Sequence, residues 1–443
     1  MQNAPVAPRQ SWNAPPPGGA RLPLSVLAKP IGAACNLDCS YCFFLSKEML
    51  SDVASQEMTP QMLELYLRNF LASQPDGEVT VEWQGGEPLM RGLPFLEEAV
   101  TLANEWSRPG QFVRHSIQTN GTLLNDEWCE FLKVHDFLVG VSIDGPAQFH
   151  DQCRVNRAGR GSHRQVERGW QLLRDHGVRR NILCAVNSAN EHHPLEVYRY
   201  FRDDLGARFV QFIPIVERTG SAALPYYHQA GSSVTERSVS PDGWGRFLFA
   251  VFEEWLERDV GSVYVQHFDA AVGNALGAYT VCVHAPECGR SLAVLPNGDI
   301  YACDHYVEEG YLRGNVASIA LQDAARLPRQ EAFGASKQLL LPKQCLECEV
   351  KWACEGGCPK DRFAGEGQSL NYLCPGYKDF YTRATPAVLK MASRVAQGLP
   401  ASERARAPQQ APAGSGPFSV AAATGHMSAS GSDVTSSVFK SLS

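Results

Sequence analysis

From about residue 25 to residue 216, short runs of β-branched, aliphatic and aromatic residues alternate with longer stretches whose apolar positions recur at helical spacing. The short runs predict strands over Ser25–Ile31, Glu78–Trp83, Phe112–Gln118, Phe137–Ile143, Asn181–Val186 and Phe209–Val216. Between them the pattern predicts helices from Thr59-Pro60 to about Ser73 and over Leu93–Trp106, Asp126–His135, His163–His176 and Leu195–Leu205. Thr59 suits an N-cap and Pro60 the first helical position. Gly177 and Gly206 stand where helix C-caps are expected. Strand–helix alternation argues for an α/β fold with a parallel sheet and right-handed crossovers. Six repeats are too few to close an eight-fold barrel, so an open, partial (βα)6 TIM-like barrel is expected.

Outside that region the pattern changes. Residues 1–22 are Pro- and Ala-rich and read as a flexible lead without the apolar core of a signal peptide. Residues 217–240 read as a loop that closes the barrel region, 23–240. Pro241–Arg258 reads as a helix with Trp244, Phe247, Leu248, Val251 and Trp255 on one stripe, taken as core, within a connecting segment 241–281. A cysteine-rich domain occupies 282–376, a closing helix 377–396, and residues 397–443, poor in large apolar side chains, read as a disordered tail.

Composition narrows the class of function. The 443 residues are 44% hydrophobic and 20% charged, with net charge −7, so bulk charge suggests no nucleic-acid partner. No run of 18 apolar residues is present, and no membrane span is expected. Fourteen cysteines without a secretory leader point to a reducing, cytoplasmic setting and to metal or cluster ligation rather than disulfides.

Just after the first strand comes Cys35-Asn36-Leu37-Asp38-Cys39-Ser40-Tyr41-Cys42, a C-x-x-x-C-x-x-C spacing. Cysteine thiolates are the usual ligands of a [4Fe–4S] cluster, and three of them leave one iron open to chelate the amino and carboxylate groups of S-adenosylmethionine. A zinc site usually has four ligands, often with histidine, and no His lies within the motif. A disulfide would leave one cysteine over. With the aromatic sequel Tyr41-Cys42-Phe43-Phe44, the motif resembles the signature of the radical S-adenosylmethionine superfamily. Phe44 stands where many relatives have Tyr, so a cofactor contact there must run through backbone or ring.

Ligands of parallel sheets bind at the strands' C-terminal ends, where the remaining candidates fall. Gln84-Gly85-Gly86-Glu87-Pro88 follows the second strand. Alone it is a tight turn; behind the cysteine motif it matches the superfamily's methionine-binding turn. Ser142 and Gln84 are the foremost cofactor contacts. Asp144 suits either ribose hydroxyls or a turn cap, and Arg154 either the cofactor, the substrate or a surface pair. His192-His193 reads as a structural or substrate-lining loop rather than a zinc site, and Cys129 and Cys184 as buried small hydrophobes.

Eight further cysteines, at 282, 288, 303, 345, 348, 354, 358 and 374, lie within 93 residues. They suffice for two Zn²⁺ ions or two [4Fe–4S] clusters. A zinc ribbon is the plain alternative; the N-terminal motif favours clusters. The field resembles the SPASM domain of peptide-modifying radical enzymes. Together with Phe212–Arg218, His192-His193-Pro194 and Cys303-Asp304, it resembles the anaerobic sulfatase-maturating enzymes over about residues 23–385. Arg313-Gly314-Asn315 replaces a frequent Leu-Gly-Asn and is expected in a loop.

That resemblance implies three [4Fe–4S] clusters and S-adenosylmethionine. It places the first cluster on Cys35, Cys39 and Cys42, one auxiliary cluster on Cys282, Cys288, Cys303 and Cys358, and another on Cys345, Cys348, Cys354 and Cys374. It implies oxidation of a Cys or Ser side chain, in a Cys/Ser-x-Pro/Ala-x-Arg segment of a sulfatase polypeptide, to Cα-formylglycine. Hydrogen-atom abstraction from Cβ starts the reaction, Asp304 is the base, and an electron donor such as flavodoxin or ferredoxin feeds it. Without the resemblance, Asp304 reads as a turn cap. The alternatives are a maturase that crosslinks or oxidises another peptide, and a non-catalytic zinc or iron–sulfur module.

Overall fold

The computed structural model describes residues 23–42, 57–218, 233–365, 367 and 369–403. The lead at 1–22, the tail from 404 onward and the candidate Phe44 lie outside the described residues. Strands β1 (Ser25–Ala28), β2 (Gly77–Trp83), β3 (Gln111–Thr119), β4 (Leu138–Ser142), β5 (Arg179–Val186) and β6 (Phe209–Pro214) alternate with helices α1 (Pro60–Ser73), α2 (Leu93–Trp106), α3 (Asp126–Val134), α4 (Ala147–Cys153), α5 (His163–Asp175) and α6 (Pro194–Arg199). All six strands pair in parallel in sequence order, as in a partial barrel.

Local chemistry sets the helix ends. Thr59 Oγ1 accepts from the Met62 amide at 3.2 Å to start α1, and Asn125 Oδ1 accepts from Trp128 at 2.9 Å to start α3. Gly177 and Gly206 adopt φ of 64° and 62° beyond the helices they close. β1 stops at Ala28, short of Ile31, because Pro30 has no N–H and the chain turns back through Gly32 at φ 59°. α6 widens into a single π turn over Tyr200–Asp204, closed by Leu205 N–H donating to the Tyr200 carbonyl, where one continuous helix is expected from the pattern.

The rest of the chain builds onto this sheet. α7 (Pro241–Arg258) is the predicted helix, and its aromatic stripe is core, each of the five residues being at most 2% exposed. β7 (Tyr264–Val265) and α8 (Gln266–Ala275) follow. β8 (Ser291–Val294) then pairs in parallel with β1, and β9 (Asp299–Tyr301) and β10 (Leu312–Asn315) extend the sheet antiparallel, giving the order β10-β9-β8-β1-β2-β3-β4-β5-β6-β7. One sheet therefore runs through the boundary expected at residue 282. Arg313 lies on β10 rather than in a loop; its guanidinium is buried and donates to Gln330 Oε1 at 2.6 Å.

Helices α9 (Leu321–Ala325), α10 (Pro328–Leu339), α11 (Lys343–Leu346) and α12 (Lys351–Cys354), then strands β11 (Arg362–Ala364) and β12 (Leu370–Asn371), complete the cysteine-rich part. α13 (Cys374–Ala396) closes the fold against α7 through a glycine contact: a Cβ on Gly376 would sit 2.0 Å from the Pro241 carbonyl oxygen. Among the described residues no helix is long and apolar enough to cross a membrane.

Candidate functional site

The loop after β1 carries Cys35, Cys39 and Cys42 at the C-terminal end of the sheet, and the neighbouring strand-end loops hold it there. Gly86 and Glu87 donate their amides to the carbonyls of Gly32 and Ala34, both at 2.9 Å. Asn120, after β3, donates Nδ2 to Asn36 Oδ1 at 2.8 Å and reaches Cys35 Sγ at 3.8 Å. Asp38 and Ser40 donate their amides to the Val155 and Cys153 carbonyls. Burial pushes the thiols of Cys35 and Cys39 up, to about 11 and about 12, and each also feels the charge of Cys42. Three half-buried thiols on one loop, with Cys42 near enough to oppose ionisation of the other two, suit a shared cationic centre, which would hold them as thiolates.

The glycine turn is fitted to this loop. A Cβ on Gly86 would lie 1.9 Å from the Ala34 carbonyl oxygen, one residue before Cys35. Gly86→Ala is therefore expected to cost about 2–4 kcal/mol of stability and to reduce iron retained at the first motif, measured by thermal unfolding and iron analysis of the reconstituted chain.

Several candidate side chains are already engaged. The Glu87 carboxylate accepts from the Leu89 and Asn120 amides and from Thr119 Oγ1. Burial pushes its pKa up to about 7 against those donors. Asp144 is 1% exposed and accepts from the Tyr41 hydroxyl, Arg154 Nε at 2.9 Å and the Ala185 amide at 2.9 Å. Arg154 also lies over the Tyr41 ring. These groups tie β2, β3, β4 and the cysteine loop together. Ser142, at the end of β4, accepts from Gln118 Nε2 at 3.1 Å. The two histidines diverge: His192 pairs with Glu191 and His193 with Glu196. Cys129 and Cys184 are fully buried.

A residue not singled out from sequence joins both halves of the site. Lys29, just past β1, is 1% exposed, and its ammonium donates to Gln84 Oε1 at 2.7 Å and pairs with Asp304 Oδ1 at 2.6 Å. The carboxylate beside Cys303 is thereby fixed at the same sheet edge as the glycine turn. A lysine following a strand carries no pattern of its own; only its two long-range partners mark it.

The eight later cysteines fall into two groups of four. Beyond the effect of burial, Cys288, Cys303 and Cys358 each feel the charge of Cys282. Cys354 feels Cys374 and Cys345, while Cys374 feels Cys345 and Cys348. The second group lines a cavity of about 300 Å³ between α11, α12 and the start of α13. A single tetrahedral zinc would draw its sulfurs to within about 4 Å of one another, whereas thiols lining a space this large suit a four-iron cluster. The residues present thus fit the cofactors that their pattern implies.

A profile of the radical SAM superfamily matches residues 30–201, and one of the SPASM iron–sulfur cluster-binding domain matches residues 282–349. Fold and site thus define a radical SAM enzyme whose cofactors are S-adenosylmethionine and iron–sulfur clusters. The chain is 41% identical over 380 residues to the serine-type anaerobic sulfatase-maturating enzyme of Bacteroides thetaiotaomicron, covering 82% of this chain and 90% of that one. It is 31% identical over 379 residues to the cysteine-type enzyme of Clostridium perfringens, covering 84% and 99%. The solved structure of native anSMEcpe with bound AdoMet and Cp18Cys peptide superimposes with a TM-score of 0.74 at 29% identity, covering 84% of this chain and 99% of that one. The chain belongs to the anaerobic sulfatase-maturating enzyme family.

Proposed function

We propose that this enzyme oxidises a Cys or Ser side chain, within a Cys/Ser-x-Pro/Ala-x-Arg segment of a sulfatase polypeptide, to Cα-formylglycine under anaerobic conditions in the cytoplasm. The observation that carries the reading is the Lys29 bridge, which sets the Asp304 carboxylate beside Gln84 at the cofactor edge of the sheet. The relatives named above, serine- and cysteine-type alike, support the substrate class, and the higher identity to the serine-type enzyme favours serine among the residues accepted.

In this reading the barrel part, 23–240, holds cofactor, and the part from 282 to 376 holds two auxiliary clusters on the two cysteine groups. Cys35, Cys39 and Cys42 hold the first cluster. Gln84, Gly85, Gly86 and Ser142 line the nucleoside and methionine positions, while Glu87, Asp144 and Arg154 anchor the loops that present them. Bound there, the cofactors would supply the radical that abstracts one hydrogen atom from the substrate Cβ. Asp304 then accepts the thiol or hydroxyl proton. One electron passes to an auxiliary cluster, and the product is the aldehyde or a thioaldehyde that water hydrolyses. Asp304 is nearly buried, which keeps bulk water from competing for that proton. An electron donor such as flavodoxin or ferredoxin completes the cycle.

The test is an anaerobic incubation of the reconstituted enzyme with S-adenosylmethionine, a strong reductant and paired Cys-x-Pro-x-Arg and Ser-x-Pro-x-Arg peptides, read by mass spectrometry. Aldehyde on the serine peptide together with 5′-deoxyadenosine is expected. Deoxyadenosine without an aldehyde on either peptide rejects this substrate and points to a maturase of another peptide.

A further inference from the structure

The cysteine-rich part contains a buried lysine and a half-buried arginine that no carboxylate among the described residues neutralises. Lys337, on α10, is fully buried, and its ammonium donates to the carbonyls of Cys282 at 2.6 Å, Val283 at 2.9 Å and Ala285. The ammonium is thereby seated on the backbone that carries Cys282, first of the earlier cysteine group. Arg362, opening β11, donates to the carbonyls of Lys337 at 2.6 Å, Gly356 at 3.1 Å and Glu355 at 3.2 Å. It is thereby held by the segment between Cys354 of one group and Cys358 of the other, and it feels the charge of Cys345 and Cys354 as well as of Cys288 and Cys358. Among the described residues neither cation forms an ion pair with a carboxylate.

The backbone is shaped around these charges. Glu355, Gly356 and Gly357 have φ of 45°, 72° and 64°, three successive left-handed residues between Cys354 and Cys358. Such a run is uncommon, above all at a residue with a side chain. It turns the carbonyls of Glu355 and Gly356 onto the guanidinium, and a Cβ on Gly356 would meet Arg362 Nη2 at 2.7 Å. Carbonyls satisfy the N–H groups but do not cancel the charge, and an uncompensated buried cation is costly. A cluster held by four thiolates carries net negative charge and gains more with each electron. Net charge and hydrogen bonding are also what set a cluster's potential.

We propose that Lys337 and Arg362 are the resident counter-cations of the auxiliary clusters, Lys337 serving the cluster on Cys282, Cys288, Cys303 and Cys358 and Arg362 shared by both. Their charge raises the cluster potentials, so that the electron lost by the substrate is taken up by an auxiliary cluster, reduced by one electron, while the proton goes to Asp304. The inference rests on the auxiliary-cluster reading above.

The test compares Lys337→Met, Lys337→Arg and Arg362→Gln with the full-length parent enzyme. Iron and sulfide are counted per chain, and the clusters are titrated by EPR-monitored potentiometry. S-adenosylmethionine is added to set apart the signal of the cluster that binds it. For Lys337→Met, at the parent's midpoint, the reduced-to-oxidised ratio of one auxiliary cluster is expected to fall tenfold, about 59 mV for a one-electron couple. Lys337→Arg should restore most of it, and Arg362→Gln should lower both auxiliary clusters. Full iron content with parental ratios in both charge-removing variants overturns the proposal. If Lys337→Met fails to hold its iron, loading of Lys337→Arg upholds a charge role, and failure of both overturns it in favour of shape. A parent chain lacking auxiliary iron and sulfide would instead remove the cluster reading itself.

Discussion

Replacing Cys39 by alanine is expected to abolish 5′-deoxyadenosine formation and to remove about four irons per chain, the content of one cubane cluster. The loop offers three thiols and no spare donor of the same kind. Asn120 and Asn36, the polar side chains that touch Cys35, are weak replacements for a thiolate. With one thiolate gone, two remain to hold a cluster whose fourth corner is already given to the substrate cofactor. Cys35→Ala and Cys42→Ala should behave alike. Cys129→Ala is the control: Cys129 is fully buried on α3, so its loss should cost packing, about 1 kcal/mol, and leave cofactor cleavage intact. Measurable deoxyadenosine from Cys39→Ala, with its iron retained, would falsify the assignment of this loop as the radical-generating site. The auxiliary iron should survive in all three variants, because the eight later cysteines are held by other elements.

The part of the site that shows in the sequence is the part built from contiguous segments. The cysteine loop, the Gly85-Gly86 turn and the ends of β3 and β4 each announce themselves locally, and the parallel order of β1 to β6 then brings them to one edge. Helices capped by Thr59 and Asn125 or closed by Gly177 are equally local, and α1 and α2 start and stop where their patterns do. What escapes is what depends on distant pairing. β8, β9 and β10 are three or four residues long, too short to show alternation, and only the pairing of β8 with β1, followed by β9 on β8 and β10 on β9, makes them strands of the main sheet. Arg313 looks like a loop residue until β10 buries it. Lys29, Lys337 and Arg362 look like ordinary surface cations in sequence. Their placement follows from partners the sequence does not mark: Asp304 for the first, the carbonyls around Cys282 for the second, and those of Lys337 and Gly356 for the third. Long-range polar contacts leave no periodic trace, so the charged residues of this site are the least legible and the thiols the most.

Lys29 makes the second large prediction, because it bridges the two halves of the site. Lys29→Met leaves the Asp304 carboxylate nearly buried beside an apolar stem. Breaking a buried pair from one side costs about 3–5 kcal/mol, so a fall in the unfolding midpoint is expected. Loss of the Lys29 cation beside a desolvated carboxylate also favours the protonated carboxyl, and a protonated Asp304 accepts no proton. Formylglycine formation should therefore fall by about 10²–10⁴-fold, the usual contribution of a placed base. Deoxyadenosine formation should persist, since Lys29 supplies none of the three thiols. Asp304→Asn should give the same uncoupling with a smaller loss of stability, because the amide oxygen still accepts from the Lys29 ammonium. The two changes share one interaction, so the double variant should lose little more product than either single one. The measurement is the ratio of aldehyde to deoxyadenosine in single-turnover reactions of the three variants. A ratio unchanged from the parent in Asp304→Asn excludes it as the substrate base. Additive losses in the double variant would show that Lys29 acts on the chemistry by a route other than Asp304, such as its bond to Gln84.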